Sequence, residues 1–433
     1  MPSPPLVKAI TRNGRTALAA AAIFHIVVTL SIFCAGWFAL APQKFDRDGI
    51  GQFARDSHDH KLLVDLLVNT LKAGDVGSWV NSNDAFHVKL DSLSVLVLGP
   101  LVGSNIVAVE PVNVLCYLAI LVLTFTLTKA LGGERAAWLA AVVVACWPSL
   151  LMHTTQFLRD PLLIVGVLAI AAVLFAILKQ QLKWLPAAGV MVAGAFGIYL
   201  VWHTRPEMWL VITAIVSTSF LLLLIKLVTA RKLLAANLVA MVIMVILPFA
   251  MPRPAAGVVS QPLTSDSVSA AETTAPSIVR RIAIARDKFI IQSQLESGSI
   301  IDKNVAFNSW RDVIRYIPRA FEIGYLAPFP VMWFKTGSNV GLTGRMISAL
   351  EMLLTYLLEL FAAIFLWRHR KDLSVWLLVI AMTIGMLAIG LVVANIGALY
   401  RMRYPFGILL LIIGAAALID FYERLRPVKR ALA

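Results

Sequence analysis

The chain of 433 residues is 59% hydrophobic and only 14% charged, with a mean hydropathy of +0.82. Soluble domains carry about 25% charged residues, so this balance excludes a soluble multidomain protein. The formal net charge of +14 does not point to nucleic acid, because most Lys and Arg sit in short segments between apolar runs, as topological signals of a membrane protein do. Cys34, Cys116 and Cys146 lie inside apolar runs. They read as small apolar residues, not as a disulfide framework or a zinc site.

Lys8, Arg12 and Arg15 precede the first apolar run, Ala17 to Leu40. That run exceeds the roughly 7–15 residue core of a secretory signal, so it is expected to be a retained first helix. Runs long enough to cross the roughly 30 Å hydrocarbon core as helix follow, and the spans drawn are 17–40, 105–128, 136–152, 161–178, 184–202, 209–226, 233–250, 347–367, 374–396 and 404–421. The expected fold class is therefore an all-α polytopic integral membrane protein with about ten transmembrane helices. It divides into an N-terminal membrane module over 1–250, an outer loop over 251–346 and a C-terminal membrane module over 347–433.

Alternate connections are short and basic. Lys129 and Arg135, Lys179 and Lys183, Lys226, Arg231 and Lys232, then Arg368, Arg370 and Lys371 occupy them, and Arg424, Arg426, Lys429 and Arg430 close the chain. An even number of spans with this bias places both ends on the cytoplasmic side. On the other side lie two long segments of mixed charge, about 41–104 and 251–346. The amphipathic stretch Lys61 to Leu67 in the first is expected to lie in the membrane interface. The second opens on a Ser/Thr/Ala/Pro-rich stretch, 254–277, expected as a loop. It turns amphipathic around Ile278 to Leu295 and Trp310 to Phe321, and Pro328 to Phe334 reads as a re-entrant or interfacial aromatic anchor, since two prolines oppose a plain helix. No internal inverted repeat is evident.

Against the positive-inside trend, acids and arginines gather on the outer side. Phe45-Asp46-Arg47-Asp48-Gly49 follows the first span, and Arg159-Asp160 sits in the turn before the fourth. His203-Thr204-Arg205-Pro206-Glu207 makes the turn between the fifth and sixth, and Tyr400-Arg401-Met402-Arg403-Tyr404 opens the last. A carboxylate there suits a general base or a divalent cation, and arginines fork onto phosphate oxygens. The combination points to a phosphorylated lipid undergoing group transfer. The bland reading stands beside it: single charges at helix ends also serve as snorkelling anchors or caps, and Arg401 and Arg403 also suit anionic headgroups. His58, His60, His87 and His153 lack metal-ligand spacing and read as solvated or capping. Glu110 lies near the outer end of the second span. Glu359 is an intramembrane acid, a functional candidate by default or a partner in an interhelical hydrogen bond.

With these residues in place, the chain resembles the GT-C class of membrane glycosyltransferases, which includes protein O-mannosyltransferases and lipid A aminoarabinose transferases. The family's acidic motif after the first helix, Asp-acid-x-x-aromatic-x-x-x-Ala, is similar to Asp46-Arg47-Asp48-Gly49-Ile50-Gly51-Gln52-Phe53-Ala54. Here Arg47 stands at the second acid, which has moved to Asp48, and Ile50 replaces the aromatic. Leu98 to Ser104, Pro111-Val112-Asn113, Lys129 to Ala137, Trp147 to Leu151 and Thr155 to Asp160 follow in the family's order. The resemblance covers about 17–180 and resumes at 395–412, where Asn395 to Pro405 is similar to the start of a late helix; the middle matches in topology only.

The resemblance implies that Asp46 is the general base, with Asp48 or Asp160 positioning substrate or a metal, and that Arg159, Arg205, Arg401 and Arg403 hold the carrier phosphate. Glu110, His203, Glu207 and Tyr404 are further polar candidates. No cofactor is required with certainty; a divalent cation (Mg or Mn) is the one the class sometimes uses. The implied partners are a polyprenyl-phosphate sugar donor, membrane lipids, and a glycan, lipid or protein acceptor at the outer face of a bacterial inner membrane. Two alternatives remain: a polysaccharide polymerase or ligase using polyprenyl-linked glycans, for which the arginines would matter more than Asp46, and a lipid-linked sugar flippase or transporter, which needs midplane acids and broken helices. For topology, Ser267→Cys is expected to react with a membrane-impermeant maleimide added outside whole cells, and Lys371→Cys only after permeabilisation. Labelling at 371 alone inverts the arrangement.

Overall fold

The computed structural model describes residues 12–231, 234–251, 277–295, 300–334 and 341–431. In chain order its helices are α1 (Arg12–Trp37), α2 (Asp56–Lys72), α3 (Val76–Asn81), α4 (Phe86–Val102), α5 (Glu110–Ala145), α6 (Pro148–Thr154), α7 (Asp160–Lys179) and α8 (Trp184–Thr204). Then follow α9 (Trp209–Ala230), α10 (Ala235–Ala250), α11 (Ser277–Leu295), α12 (Trp310–Leu326), α13 (Gly341–Arg368), α14 (Leu373–Val392), α15 (Ile396–Met402) and α16 (Tyr404–Ala431). Among the described residues the only extended pairings are two isolated bridges. Among the described residues eight helices are long and apolar enough to cross a membrane, and the 16-residue α10 is a shorter apolar helix. The chain is thus an all-helical, polytopic membrane protein.

The drawn spans differ from these helices for identifiable reasons. The second and third lie largely within α5, which Gly133 interrupts at φ 84° and ψ −178°. That left-handed φ is open to glycine at no steric cost. The chain reverses there: the Tyr117 hydroxyl donates to the Ala145 carbonyl at 3.0 Å, and the Phe125 ring lies 5.0 Å from that of Trp138. In one straight helix 28 residues would separate the first pair by about 42 Å. The third span also breaks before Pro148, with Trp147 extended (φ −69°, ψ 109°), because proline disfavours the helical region in the residue before it. The ninth stops at Val392, and Asn395 caps the separate short helix α15. The segment 41–104 holds three helices, including the apolar α4, which the reading by spans passed over. The stretch 254–277 lies outside the described residues save for Ser277.

α7 is the centre of the bundle. It is apolar all round and buries 16 of its 20 residues, as a helix surrounded by others does. α1, by contrast, is mostly exposed, and a polar clamp holds it. His25 Nδ1 meets Glu110 Oε1 at 2.7 Å, Thr29 donates to Glu110 Oε2 at 2.7 Å, and His25 Nε2 lies 3.0 Å from the Thr154 hydroxyl. The basic connections share one end of the bundle, where Lys179 pairs with Asp372 (2.7 Å) and Arg135 with Glu423 (3.1 Å). The remaining connections converge at the other end.

α12 does not simply float at a surface. A reciprocal capping box of Ser309 and Asp312 starts it, and Val313, Tyr316, Ala320 and Ile323 are buried, while Ile314, Ile317 and Phe321 stay exposed. It crosses α14 backbone to backbone at two glycines. A Cβ on Gly324 would sit 2.3 Å from the Met386 carbonyl oxygen, and one on Gly390 would sit 2.0 Å from that of Ala320. The Pro328 to Phe334 stretch forms a short 3-10 turn over Pro330–Met332, with the Trp333 indole donating to the Pro328 carbonyl at 2.8 Å. Gly390→Ala is expected to cost about 1–3 kcal/mol of stability by overpacking. Gly189→Ala, where nothing lies within 4 Å, is expected to be neutral or better; thermal unfolding of the two variants in detergent compares them.

Candidate functional site

A cavity of about 1340 Å³ opens at the end of the bundle opposite the basic connections. The start of α2, α6, the Arg159 turn, the α8–α9 turn, α11, the start of α13 and α15 all contribute to it. Among the described residues, eight cationic side chains line it against four carboxylates (Asp56, Asp59, Asp84 and Glu207), an excess of positive charge.

One wall is built on alternating charge. The Asp160 carboxylate, 3% exposed, lies at the first position of α7. It accepts a hydrogen bond from Arg205 Nη2 at 3.1 Å, and Arg401 Nε stands 3.9 Å from its other oxygen. Arg401 Nη2 also donates to Asp56 Oδ2 at 2.6 Å, and Arg205 Nη1 lies 3.5 Å from Glu207. The resulting chain, Asp56–Arg401–Asp160–Arg205–Glu207, draws on α2, α15, α7 and the α8–α9 turn. Both aspartates sit in the first turn of a helix, where the helix dipole favours a negative charge. Burial works to raise the Asp56 carboxyl, but the Arg401 guanidinium outweighs it and holds the group below the usual carboxylate range.

Arg159 is the exception in this wall. Among the described residues it has no carboxylate within ion-pair distance, and its buried Nε has no hydrogen-bond partner. Neighbouring Arg205, then burial, lower its guanidinium to about 10.

The other sequence candidates fall in different places. Asp46 does not line the cavity: its Oδ1 accepts from the backbone N–H groups of Asp48 (3.0 Å) and Ile50 (2.7 Å), closing a tight loop, and His58 lies 3.6 Å from its Oδ2. That loop is tied to the α6–α7 connection, because the Gly51 N–H donates to Gln156 Oε1 at 2.9 Å. Asp48 faces Lys61 at 3.4 Å. Arg403 is buried away from the cavity, donating to the Ala327 carbonyl at 2.6 Å with its guanidinium over the Tyr400 ring; it closes the end of α12. Glu110 belongs to the α1 clamp. Tyr404 is buried behind the wall, its hydroxyl 3.0 Å from His153 Nδ1. His203 and Glu207 do line the cavity. The structure thus gathers Arg159, Asp160, His203, Arg205, Glu207 and Arg401 and separates Asp46, Asp48, Glu110, Arg403 and Tyr404 from them.

Of the histidines read as solvated or capping, His87 and His153 are buried and His60 is half-buried. His60 Nδ1 donates to the Phe157 carbonyl at 2.9 Å, and its ring lies 4.5 Å from that of His87. His87 is 2% exposed, with neither ring nitrogen partnered. His153 Nδ1 donates to the Ser149 carbonyl at 2.6 Å. The carboxylates considered for a metal do not fit one. Asp48 is engaged by Lys61 and Asp160 by two arginines, and no group of three or more His, Cys, Asp or Glu suited to a cation occurs among the described residues.

Asp56 was missed by sequence reasoning. It stands two residues beyond the family-like motif and ten after Asp46, and its one signal was its place at the head of an amphipathic helix. Glu351 was missed too. It accepts from the Ser149 N–H (2.8 Å) and hydroxyl (2.7 Å) and from the Tyr400 hydroxyl, fixing α6 beneath the cavity floor. No protein-family model matches the chain, and no curated protein does.

Burial lowers His153 to about 4 and lowers His60 and His87 as well. The unfolded chain binds protons below about 6.5 where the folded chain does not, so stability falls as pH drops from 6.5 towards 4. For His153 the full effect is on the order of 3 kcal/mol. Asp56, with its lowered value, adds a loss only below about pH 4. Thermal unfolding across pH 4–8 is expected to show the upper slope, shallower in His153→Gln; a level profile from 6.5 to 4 would contradict the burial of these rings.

Proposed function

We propose that the protein is a GT-C-type membrane glycosyltransferase that transfers a sugar from a polyprenyl-phosphate donor to a lipid, glycan or protein acceptor. In this reading the chain has ten spans: the eight long helices with α5 counted twice at its Gly133 reversal, plus α10. The basic end is cytoplasmic by charge bias, which puts the cavity at the outer face of the membrane. Support comes from the resemblance and, above all, from one observation: an ionised carboxylate, Asp56, and the carboxylate-free guanidinium of Arg159 face the same cavity.

The chemistry assigns each group a task. Arg401 grips Asp56 Oδ2, leaving Oδ1 to accept the proton of the attacking hydroxyl. The hydroxyl oxygen bonds to the anomeric carbon as the carbon–oxygen bond to phosphate breaks, inverting that carbon. The electron pair leaves with the phosphate, and Arg159 meets the developing charge from a fixed position. Asp46 has a positioning role here, holding the loop beside the site. No step requires a metal.

Purified full-length protein incubated with a panel of polyprenyl-phosphate sugars and a membrane extract as acceptor is expected to release polyprenyl phosphate. Asp56→Asn should slow release by about 100-fold or more, in the range of general-base contributions. Asp46→Asn, which keeps an accepting Oδ1, should change it by only a few-fold. Loss in Asp46→Asn with full activity in Asp56→Asn returns the base to Asp46. The excess of cations in the cavity favours, as a second reading, a polymerase or ligase using polyprenyl-linked glycans. That reading is preferred if Asp56→Asn stays active while Arg159→Gln is inactive.

A further inference from the structure

The cavity has a second cationic wall of different character. Arg281, Ile284, Ala285 and Lys288 of α11 line it, and their spacing of three, four and seven places them on one helical face. Arg345 joins them from the first turns of α13, its Nη1 donating to the Met332 carbonyl at 2.9 Å. No carboxylate of α11 or α13 lines the cavity. Among the described residues, neither Arg281 nor Lys288 has a carboxylate within ion-pair distance; Arg281 lies over the Trp209 ring, 5.9 Å from its centroid. The reaction wall holds three arginines with Asp56, Asp160 and Glu207, whereas this wall is cationic and otherwise largely apolar.

α11 is also held firmly enough to form a subsite. Its Arg286 is 1% exposed and donates to the carbonyls of Leu391 (3.0 Å) and Asp302 (3.0 Å), with the guanidinium over the rings of Phe307 and Tyr316. Small-ligand pockets measure about 300–1,000 Å³, and this cavity, at about 1340 Å³, has room for two substrates.

The geometry points to a recognition site for the acceptor on this wall, and to an acceptor that is itself anionic: a phosphate group on an apolar chain, held by Arg281, Lys288 and Arg345 while its hydroxyl reaches Asp56. The assignment rests on the glycosyltransferase reading. Phosphate accepts paired hydrogen bonds from guanidinium and a point charge from ammonium, and the apolar side chains between the cations suit the chain that carries it. A neutral glycan would leave Arg281 and Lys288, which have no ion-paired carboxylate among the described residues, without a counter-charge.

The test uses the full-length protein in neutral detergent, titrated with dodecyl phosphate while saturating polyprenyl phosphate occupies the carrier site. Wild type is expected to bind dodecyl phosphate under these conditions, and inorganic phosphate to compete weakly. Arg281→Gln/Lys288→Gln should weaken binding at least about 10-fold, whereas the charge-keeping Arg281→Lys/Lys288→Arg should restore most of it. The KM for the polyprenyl-phosphate sugar should stay within about twofold in both. Dodecyl phosphate binding abolished by polyprenyl phosphate, or a KM change for the donor, would assign the wall to the carrier and overturn the proposal. Equal binding by wild type and the Gln variant overturns it as well. Inorganic phosphate binding as tightly as dodecyl phosphate removes the apolar chain from the assignment. Absent release of polyprenyl phosphate from any donor defeats the glycosyltransferase reading alone, since the binding arm requires no turnover.

Discussion

The alternating chain Asp56–Arg401–Asp160–Arg205–Glu207 is the constraint around which the cavity end is organised. At its centre Asp160 and Arg205 are buried; buried charges are costly to desolvate, and breaking that pair strands its partner at about 3–5 kcal/mol. A fold tolerates such a chain only when every member has its neighbours in place. Here α2, α7, α15 and the α8–α9 turn must all meet at one point, though they are separated by up to 345 residues in sequence. The same requirement leaves Arg159 beside the chain but outside it, a cation with no carboxylate within ion-pair distance among the described residues.

The surroundings hold this end still in two further ways. Glu351 reaches from α13 to the start of α6 and to Tyr400, so the floor is pinned from below. On the far side, the glycine crossing of α12 and α14 and the buried Arg286 lock α11 and α12 onto the bundle. Irregular backbone near a membrane is tolerated where protein or a water-filled cavity satisfies its polar groups. Arg403 does this for the last turn of α12 by donating to the Tyr325 and Ala327 carbonyls. It resembles its neighbour Arg401 in sequence and differs from it entirely in work.

Much of the architecture was legible because it depends on composition over long windows. Apolar runs located the long helices, and charge placement separated the two ends. Boundaries failed where one residue decided them: Gly133 reversed α5, and Pro148 cut the third run. The candidate site was legible in part. Arg159, Asp160, Arg205, Glu207 and Arg401 stood out as exceptions to the charge bias; four of them line one cavity, and Asp160 is buried behind them. Asp46 stood out equally, through its motif, yet its carboxylate caps its own loop, since two backbone N–H groups lie within reach of Oδ1. Asp56, one helix start later, looked like an ordinary first-turn acid.

The sequence alone therefore determined that this is a helical membrane protein with its unusual acids and arginines concentrated at one end. Those properties sum over many residues, and burial in hydrocarbon rewards them wherever the partners lie. Which acid meets which arginine, which cation is left without a carboxylate, and which helix face borders the cavity were decided only by the tertiary structure. These depend on single side chains brought from distant segments, and a charge a few ångströms away is invisible in the linear order. Arg401 and Arg403 make the difference plain. Two positions apart on a short helical turn, one closes a chain of ion pairs and the other caps backbone carbonyls, because the turn points them to different neighbours.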